Sequence, residues 1–142
     1  MKTILEHLEW VLIAAAVGQL VLAAINLRLV KILGWEEDLR SMSLLVREVF
    51  HVHKWFISIT LVIFAVLTLR FPGDLAGGSE LGRWLAGCIG AFWGIRTWMQ
   101  WAYYSPSHRR ESSARMAVHW ALTICYGGAA MAYLCGAFFG EG

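Results

Sequence analysis

The stretch WVLIAAAVGQLVLAAINLRLVK, residues 10–31, decides the class of this protein. It contains no charged side chain before Arg28, and it exceeds the roughly 20 mostly apolar residues that a helix needs to cross a bilayer. Glu6 and Glu9 precede it, where a signal peptide would carry a basic region. We therefore expect a retained membrane helix rather than a cleaved signal.

Three further apolar runs of similar length follow, at about 52–71, 82–104 and 116–139. The four runs take up most of the 142 residues, of which 58% are apolar, and the mean hydropathy is +0.57. We predict an all-α membrane protein in which four transmembrane helices form a compact bundle. Residues 1–142 would then make up a single integral membrane domain.

The connection between the first two runs has its own pattern. Leu39, Met42, Val46 and Val49 recur at helical spacing in a segment that is otherwise polar. This pattern predicts an amphipathic cytoplasmic segment, formed either as a surface helix or as an extension of the second span.

Lysines and arginines set the expected orientation, since they concentrate on the cytoplasmic side of membrane proteins. Most lie in or beside the first and third connections, namely Arg28, Lys31, Arg40, Arg47, Lys54, Arg109, Arg110 and Arg115. Both termini are therefore predicted outside the cytoplasm, and the compact layout favours a bacterial inner membrane. A net charge of +2 is too small to favour nucleic acid as a partner, and the lipid bilayer is the expected surrounding.

Polar side chains inside the spans are expected to face the interior of the bundle, because lipid cannot satisfy them. Trp93, Arg96 and Gln100 lie at positions i, i+3 and i+7 of the third span and share one helix face. The planar guanidinium of Arg96 suits a carboxylate or phosphate of a ligand. The alternative is that Arg96 extends to the headgroups as a membrane anchor.

We therefore predict a cationic, histidine-containing pocket in the cytoplasmic half of the bundle. Its ligand would be a flat or amphipathic anion, such as haem, a quinone, a lipid or a thiol conjugate. The residues expected to bind it are Asn26, Glu48, His51, Trp93, Arg96 and Gln100. No diagnostic catalytic motif is present, so the residues indicate neither a reaction nor its catalytic groups.

Two histidines suggest a redox version of this site. His53 and His119 lie near the starts of spans that run in the same direction, so they could ligate the iron of a b-type haem axially. The alternative is interfacial histidines hydrogen-bonded to backbone or water. No other metal is expected, because the Glu48-x-x-His51 pattern occurs once and di-iron bundles need it twice.

Small residues mark two helix faces, Gly90/Gly94 and Gly128/Gly136. Such faces let helix backbones approach closely, either within one chain or in a homo-oligomer or larger membrane complex. A second functional interpretation is therefore a cofactor-free accessory subunit. A third is a small transporter, against which the scarcity of polar residues in the outer half argues. Whether Cys88 and Cys135 form a disulfide stays open at this level.

Overall fold

The computed structural model describes residues 2–102 and 113–139, and every secondary-structure element in these ranges is helical. The α-helices are α1 (Lys2–Leu33), α2 (Glu36–Ser41), α3 (Leu44–Arg70), α4 (Glu80–Ala102) and α5 (Ser113–Phe139). A π-helical turn at Asp74–Gly78 precedes α4. The prediction of an all-helical chain is confirmed for these ranges.

Three helices in the described residues are long and apolar enough to cross a membrane. They are His7–Leu33 within α1, Leu44–Arg70, which is all of α3, and Met116–Phe139 within α5. Most of their apolar side chains point outward, since only 22–28% of each apolar window is buried. A chain with long apolar helices and apolar outer surfaces is suited to lipid, which supports a membrane protein.

The predicted third span, 82–104, coincides with α4 but does not reach the same apolarity. Arg83, Arg96 and Gln100 lower its hydropathy, so the four-span count is supported for three helices only. Residues 103 and 104, where that span was predicted to end, lie outside the described residues. The same holds for the connection carrying Arg109 and Arg110.

The segment between the first two spans forms both predicted structures. Residues 36–41 make the separate helix α2, whose Leu39 is buried, and Leu44 already begins α3. Gly34 ends α1 with a positive φ of 68°, and the amide of Trp35 donates to the carbonyl of Val30. This Schellman-type ending satisfies carbonyls of the last α1 turn and lets the chain reverse direction.

The chain contacts divide into two compact units, the α1–α3 unit (Ala16–Arg70) and the α4–α5 unit (Met1–Ala15 with Phe71–Gly142). In the α1–α3 unit, the amide nitrogen of Asn26 donates to the hydroxyl of Ser58 at 2.9 Å and to the carbonyl of Lys54 at 3.0 Å. These bonds connect α1 to α3, and they lie in a protected contact, since Ser58 is itself buried. The single domain of residues 1–142 stays a prediction.

In the α4–α5 unit, the π-helical turn packs against both α4 and α5. Gly82 approaches the carbonyl of Asp74, and Gly136 approaches the carbonyl of Leu75, so closely that a Cβ atom at either glycine would overlap the oxygen. Ser79 accepts the amide hydrogen of Gly82 at 3.1 Å and caps the start of α4. The turn thus joins the start of α4 to the end of α5 through main-chain contacts.

Candidate functional site

The polar face of α4 meets α5 in a cluster that we call the α4–α5 cluster. It comprises Trp93, Arg96 and Gln100 from α4, and His119 and Tyr126 from α5. Helical periodicity explains the arrangement, because the three α4 residues follow i, i+3, i+7 spacing and the two α5 residues are seven apart. Each helix presents one stripe, and the two stripes face each other.

A continuous hydrogen-bonded chain runs through the cluster. The guanidinium Nη1 of Arg96 donates to Oε1 of Gln100 at 3.0 Å, and Nε2 of Gln100 lies 3.1 Å from Nδ1 of His119. Because the amide oxygen of Gln100 accepts from Arg96, its nitrogen must be the donor toward His119. His119 therefore accepts at Nδ1, which places its single proton on Nε2 in the neutral ring.

Aromatic rings hold the cationic end of this chain. The indole of Trp93 stacks on Tyr126 with 5.2 Å between ring centroids and 24° between planes. The guanidinium carbon of Arg96 lies 4.8 Å from the centroid of the same Tyr126 ring. Offset stacking and a cation over a ring face are both attractive, so Tyr126 fixes the positions of Trp93 and Arg96 together.

Two tryptophans surround the histidine end. Trp101 and Trp120 meet His119 edge to face at 6.0 and 6.1 Å between ring centroids, and meet each other at 5.4 Å. His119 is 6% exposed and Gln100 is 3% exposed. The hydrogen-bonded pair is therefore shielded, whereas Arg96 is half-buried.

Two hydrogen-bond donors of the cluster, Trp93 and Arg96, could bind a further acceptor, as judged from the described part of the chain. The indole Nε1 of Trp93 is buried without a partner. Arg96 has no carboxylate within ion-pair distance among these residues, and its one hydrogen bond goes to a neutral amide. Buried donors are normally satisfied, and a guanidinium has five N–H groups, so the indole of Trp93 and the remaining N–H groups of Arg96 would suit an oxyanion or carbonyl oxygen supplied from outside the chain.

The other residues predicted for the site belong to the α1–α3 unit. Asn26 bonds to Ser58 and the backbone of α3, and Glu48, His51 and His53 are exposed along α3. His53 and His119 thus belong to different units, and their pairing stays a prediction.

In the described ranges no group of three or more His, Cys, Asp or Glu side chains could hold a metal ion, and Cys88 and Cys135 are free thiols.

Sequence reasoning left Tyr126 out of the predicted ligand site, although it forms the centre of the cluster. The signal was present, because Tyr126 follows His119 by seven residues and so shares its helix face. Trp101 and Trp120 were absent from the predicted site as well. Tryptophans near span ends are common in membrane proteins, and nothing in the sequence separates these two from an ordinary interfacial belt.

Comparisons with known proteins found no relative that could assign this site. No protein-family model matches the chain, and neither the curated proteins nor the solved structures contain a match. The function is therefore argued from the geometry of the cluster.

Proposed function

We propose that this protein is a four-span integral membrane protein whose α4–α5 cluster binds a flat or amphipathic anion. Arg96 would bind the carboxylate or phosphate of the ligand, with Trp93 supplying a second donor. A quinone-like, lipid or thiol-conjugate molecule has the required combination of an acceptor group and an apolar body. The observation that carries the proposal is the pairing, on one helix face, of the unpartnered indole N–H of Trp93 with the guanidinium of Arg96, which has no carboxylate partner among the described residues.

The surroundings of α4 support counting it as a membrane span in addition to the three apolar helices. Its 23 residues extend about 34 Å at 1.5 Å per residue, which matches the hydrocarbon core of a bilayer. Arg96 is the only charged residue between Trp84 and Ala102, and it bonds within the cluster together with Gln100. Since α4 packs along α5, itself apolar enough to span, its polar face is covered by protein rather than lipid.

Four spans would place both termini on the same side of the membrane. The cations beside the first connection, such as Arg28 and Lys31, favour the opposite side as the cytoplasmic one. The termini would then lie outside the cytoplasm, and a bacterial inner membrane is our proposed location. The Arg96–Gln100–His119 end of the cluster would lie in the cytoplasmic half.

Haem ligation agrees less well with the hydrogen bonds of the cluster. An axial histidine binds iron through an unprotonated nitrogen, whereas His119 accepts at Nδ1 and carries its proton on Nε2. Freeing Nε2 would require Gln100 to turn its amide, which would break its bond with Arg96. The cluster as it stands therefore favours a non-covalently bound anion over a b-type haem held by His53 and His119.

The glycine faces provide a second candidate function, that of an accessory subunit in a larger membrane complex. Gly90 and Gly136 are occupied within the chain, by Leu134 and by the backbone of Leu75. Gly94 and Gly128 have open space beside them, because a methyl group at either position would meet no atom of the described residues within 4 Å outside its own stretch of helix. Of the two predicted small-residue faces, these two glycines are the positions that a partner helix could still contact.

The test is to identify small molecules that co-purify with the protein in mild detergent. Wild-type protein is compared with Arg96→Gln and with Arg40→Gln, an exposed arginine on α2 that serves as the charge-matched control. We expect at least one anionic amphiphile that co-purifies with the wild type and with the control but not with Arg96→Gln. Equal retention of every co-purifying amphiphile in all three proteins would contradict the proposal.

An absorption spectrum of the same preparations, oxidised and then reduced with dithionite, distinguishes the redox version. A Soret band that disappears in His119→Leu would establish haem and overturn the preference for a non-covalent anion. A featureless spectrum, from cells able to supply haem, together with an Arg96-dependent amphiphile would support the proposal. A co-purifying protein in place of a small molecule would favour the accessory subunit.

A further inference from the structure

A second cationic feature lies in the α1–α3 unit and shares no residue with the α4–α5 cluster. A cleft of about 630 Å³ is lined by the side of α1 near its end, by the start of α2 and by the second and third turns of α3. Its basic residues are Arg28, Lys31 and Lys54, and His51 and Glu36 complete the polar lining. We call it the basic cleft.

The charges of the basic cleft are not neutralised within the described residues. Arg28, Lys31 and Lys54 have no carboxylate within ion-pair distance there, and Glu36 is the one acidic residue in the lining. Its three Lys and Arg side chains against one Glu therefore give the cleft an excess of two positive charges, without counting His51. The partial negative charge at the end of α1, about half an elementary charge, is too small to cancel them.

Helical spacing and one buried contact bring these cations together. Arg28 and Lys31 are three residues apart on α1, and His51 and Lys54 are three apart on α3, so each pair occupies one face of its helix. The backbone carbonyl of Lys54 accepts a hydrogen bond from Asn26 at 3.0 Å. The two faces are thus fixed against each other by a contact that leaves the ammonium group of Lys54 available.

The position of the cleft indicates what kind of anion it would meet. Arg28 and Lys31 fall in the last turns of one helix that could span a membrane, and His51 and Lys54 fall in the second and third turns of another, where the apolar run of about 52–71 begins. Leu27 and Val30 add half-buried apolar side chains to its lining. Cations at headgroup level beside apolar surface are the combination that attracts anionic lipids.

We infer that the basic cleft binds the phosphodiester headgroup of an anionic membrane lipid, with Arg28, Lys31 and Lys54 contacting the phosphate and Leu27 and Val30 contacting the acyl chains. Inorganic phosphate shares the charge but lacks the chains, so it would gain nothing from the apolar lining. This lipid site is independent of the ligand proposed for the α4–α5 cluster.

Native mass spectrometry of the detergent-purified protein tests the inference. The full chain is titrated with phosphatidylglycerol, phosphatidylcholine or inorganic phosphate. We expect the first phosphatidylglycerol to bind about fivefold or more tightly than phosphatidylcholine, and inorganic phosphate not to displace it. Equal binding of the two lipids would overturn the inference, and displacement by millimolar phosphate would overturn the assignment to lipid.

Substitutions locate the binding. Each of Arg28→Gln, Lys31→Gln and Lys54→Gln should weaken phosphatidylglycerol binding about fivefold, whereas Arg40→Gln, outside the cleft, should not. Glu36→Gln should strengthen binding, which keeps the test valid if a loss-of-charge variant fails to fold. Selectivity that survives the three substitutions combined but disappears in Arg96→Gln would place the lipid at the α4–α5 cluster and overturn the inference.

Discussion

Replacing Gln100 with leucine should allow the proton of the neutral His119 ring to occupy either ring nitrogen. In the wild type, Nε2 of Gln100 points at Nδ1 of His119 at 3.1 Å, while its Oε1 is occupied by Arg96 at 3.0 Å. A proton on Nδ1 would set two donors against each other in a buried site. Losing that bond and leaving a buried donor unsatisfied costs about 2–4 kcal/mol, a preference of about 30-fold or more for the Nε2–H form.

The assay is nitrogen NMR of ¹⁵N-histidine-labelled protein at about pH 8, above the ordinary titration range of histidine. The His119 signals are assigned by their loss in His119→Gln. We expect one protonated Nε2 and one unprotonated Nδ1 in the wild type, and a mixture of both tautomers in Gln100→Leu. Thr97→Val, which removes a neighbouring α4 hydroxyl that bonds to the backbone of its own helix, is the control and should leave the tautomer unchanged. A wild-type His119 protonated at Nδ1 would refute the proposed direction of the hydrogen-bonded chain.

Three further substitutions test the packing and the site. Gly136→Ala should lower the free energy of unfolding by about 1–3 kcal/mol, because its methyl group would overlap a carbonyl of the π-helical turn. Gly128→Ala on the same helix should be neutral or stabilising. Equal effects of the two substitutions in chemical denaturation would contradict this packing. Asn26→Leu should cost about 1–2 kcal/mol, since it removes two hydrogen bonds and leaves the buried Ser58 with fewer partners, and an unchanged denaturation midpoint would contradict it. Trp93→Phe should raise the melting temperature of ligand-free protein, because a buried donor without an acceptor is removed, and should weaken ligand binding; a lower melting temperature with unchanged binding would indicate that the indole nitrogen has no role in binding.

The composition and periodicity of the sequence were sufficient to predict the helices and one face of the site. Long apolar runs need no knowledge of distant contacts, and the i, i+3, i+7 spacing alone groups Trp93, Arg96 and Gln100. His119 was predicted to face the same region because polar residues inside a membrane protein turn toward each other. The structure brings Gln100 and His119 into direct contact.

Other features depend on contacts between distant residues. Asn26 was grouped with Arg96, yet it bonds to Ser58, whose hydroxyl also donates to the carbonyl of Lys54 four residues earlier. Such local bonding makes a serine look satisfied within its own helix, so the sequence carries no sign of a partner on α1. The π-helical turn could not be predicted from the sequence either, because its form depends on how α4 and α5 pack against it.

The closeness of α4 and α5 changes along their length. Main-chain contacts at Gly82 and Gly136 and a tight approach of Gly90 to Leu134 join them at one end, whereas a methyl group at Gly94 would meet no neighbouring helix within 4 Å among the described residues. Beyond that point the described contacts between the helices include ring and hydrogen-bond contacts between side chains. Arg96 is the one member of the cluster that is half-buried rather than buried, and rotamer changes of partly exposed side chains are far faster than the separation of packed helices. We therefore expect exchange at the cluster to be limited by rotation of side chains, with the helix pair remaining joined at its glycine-rich end while a ligand enters and leaves.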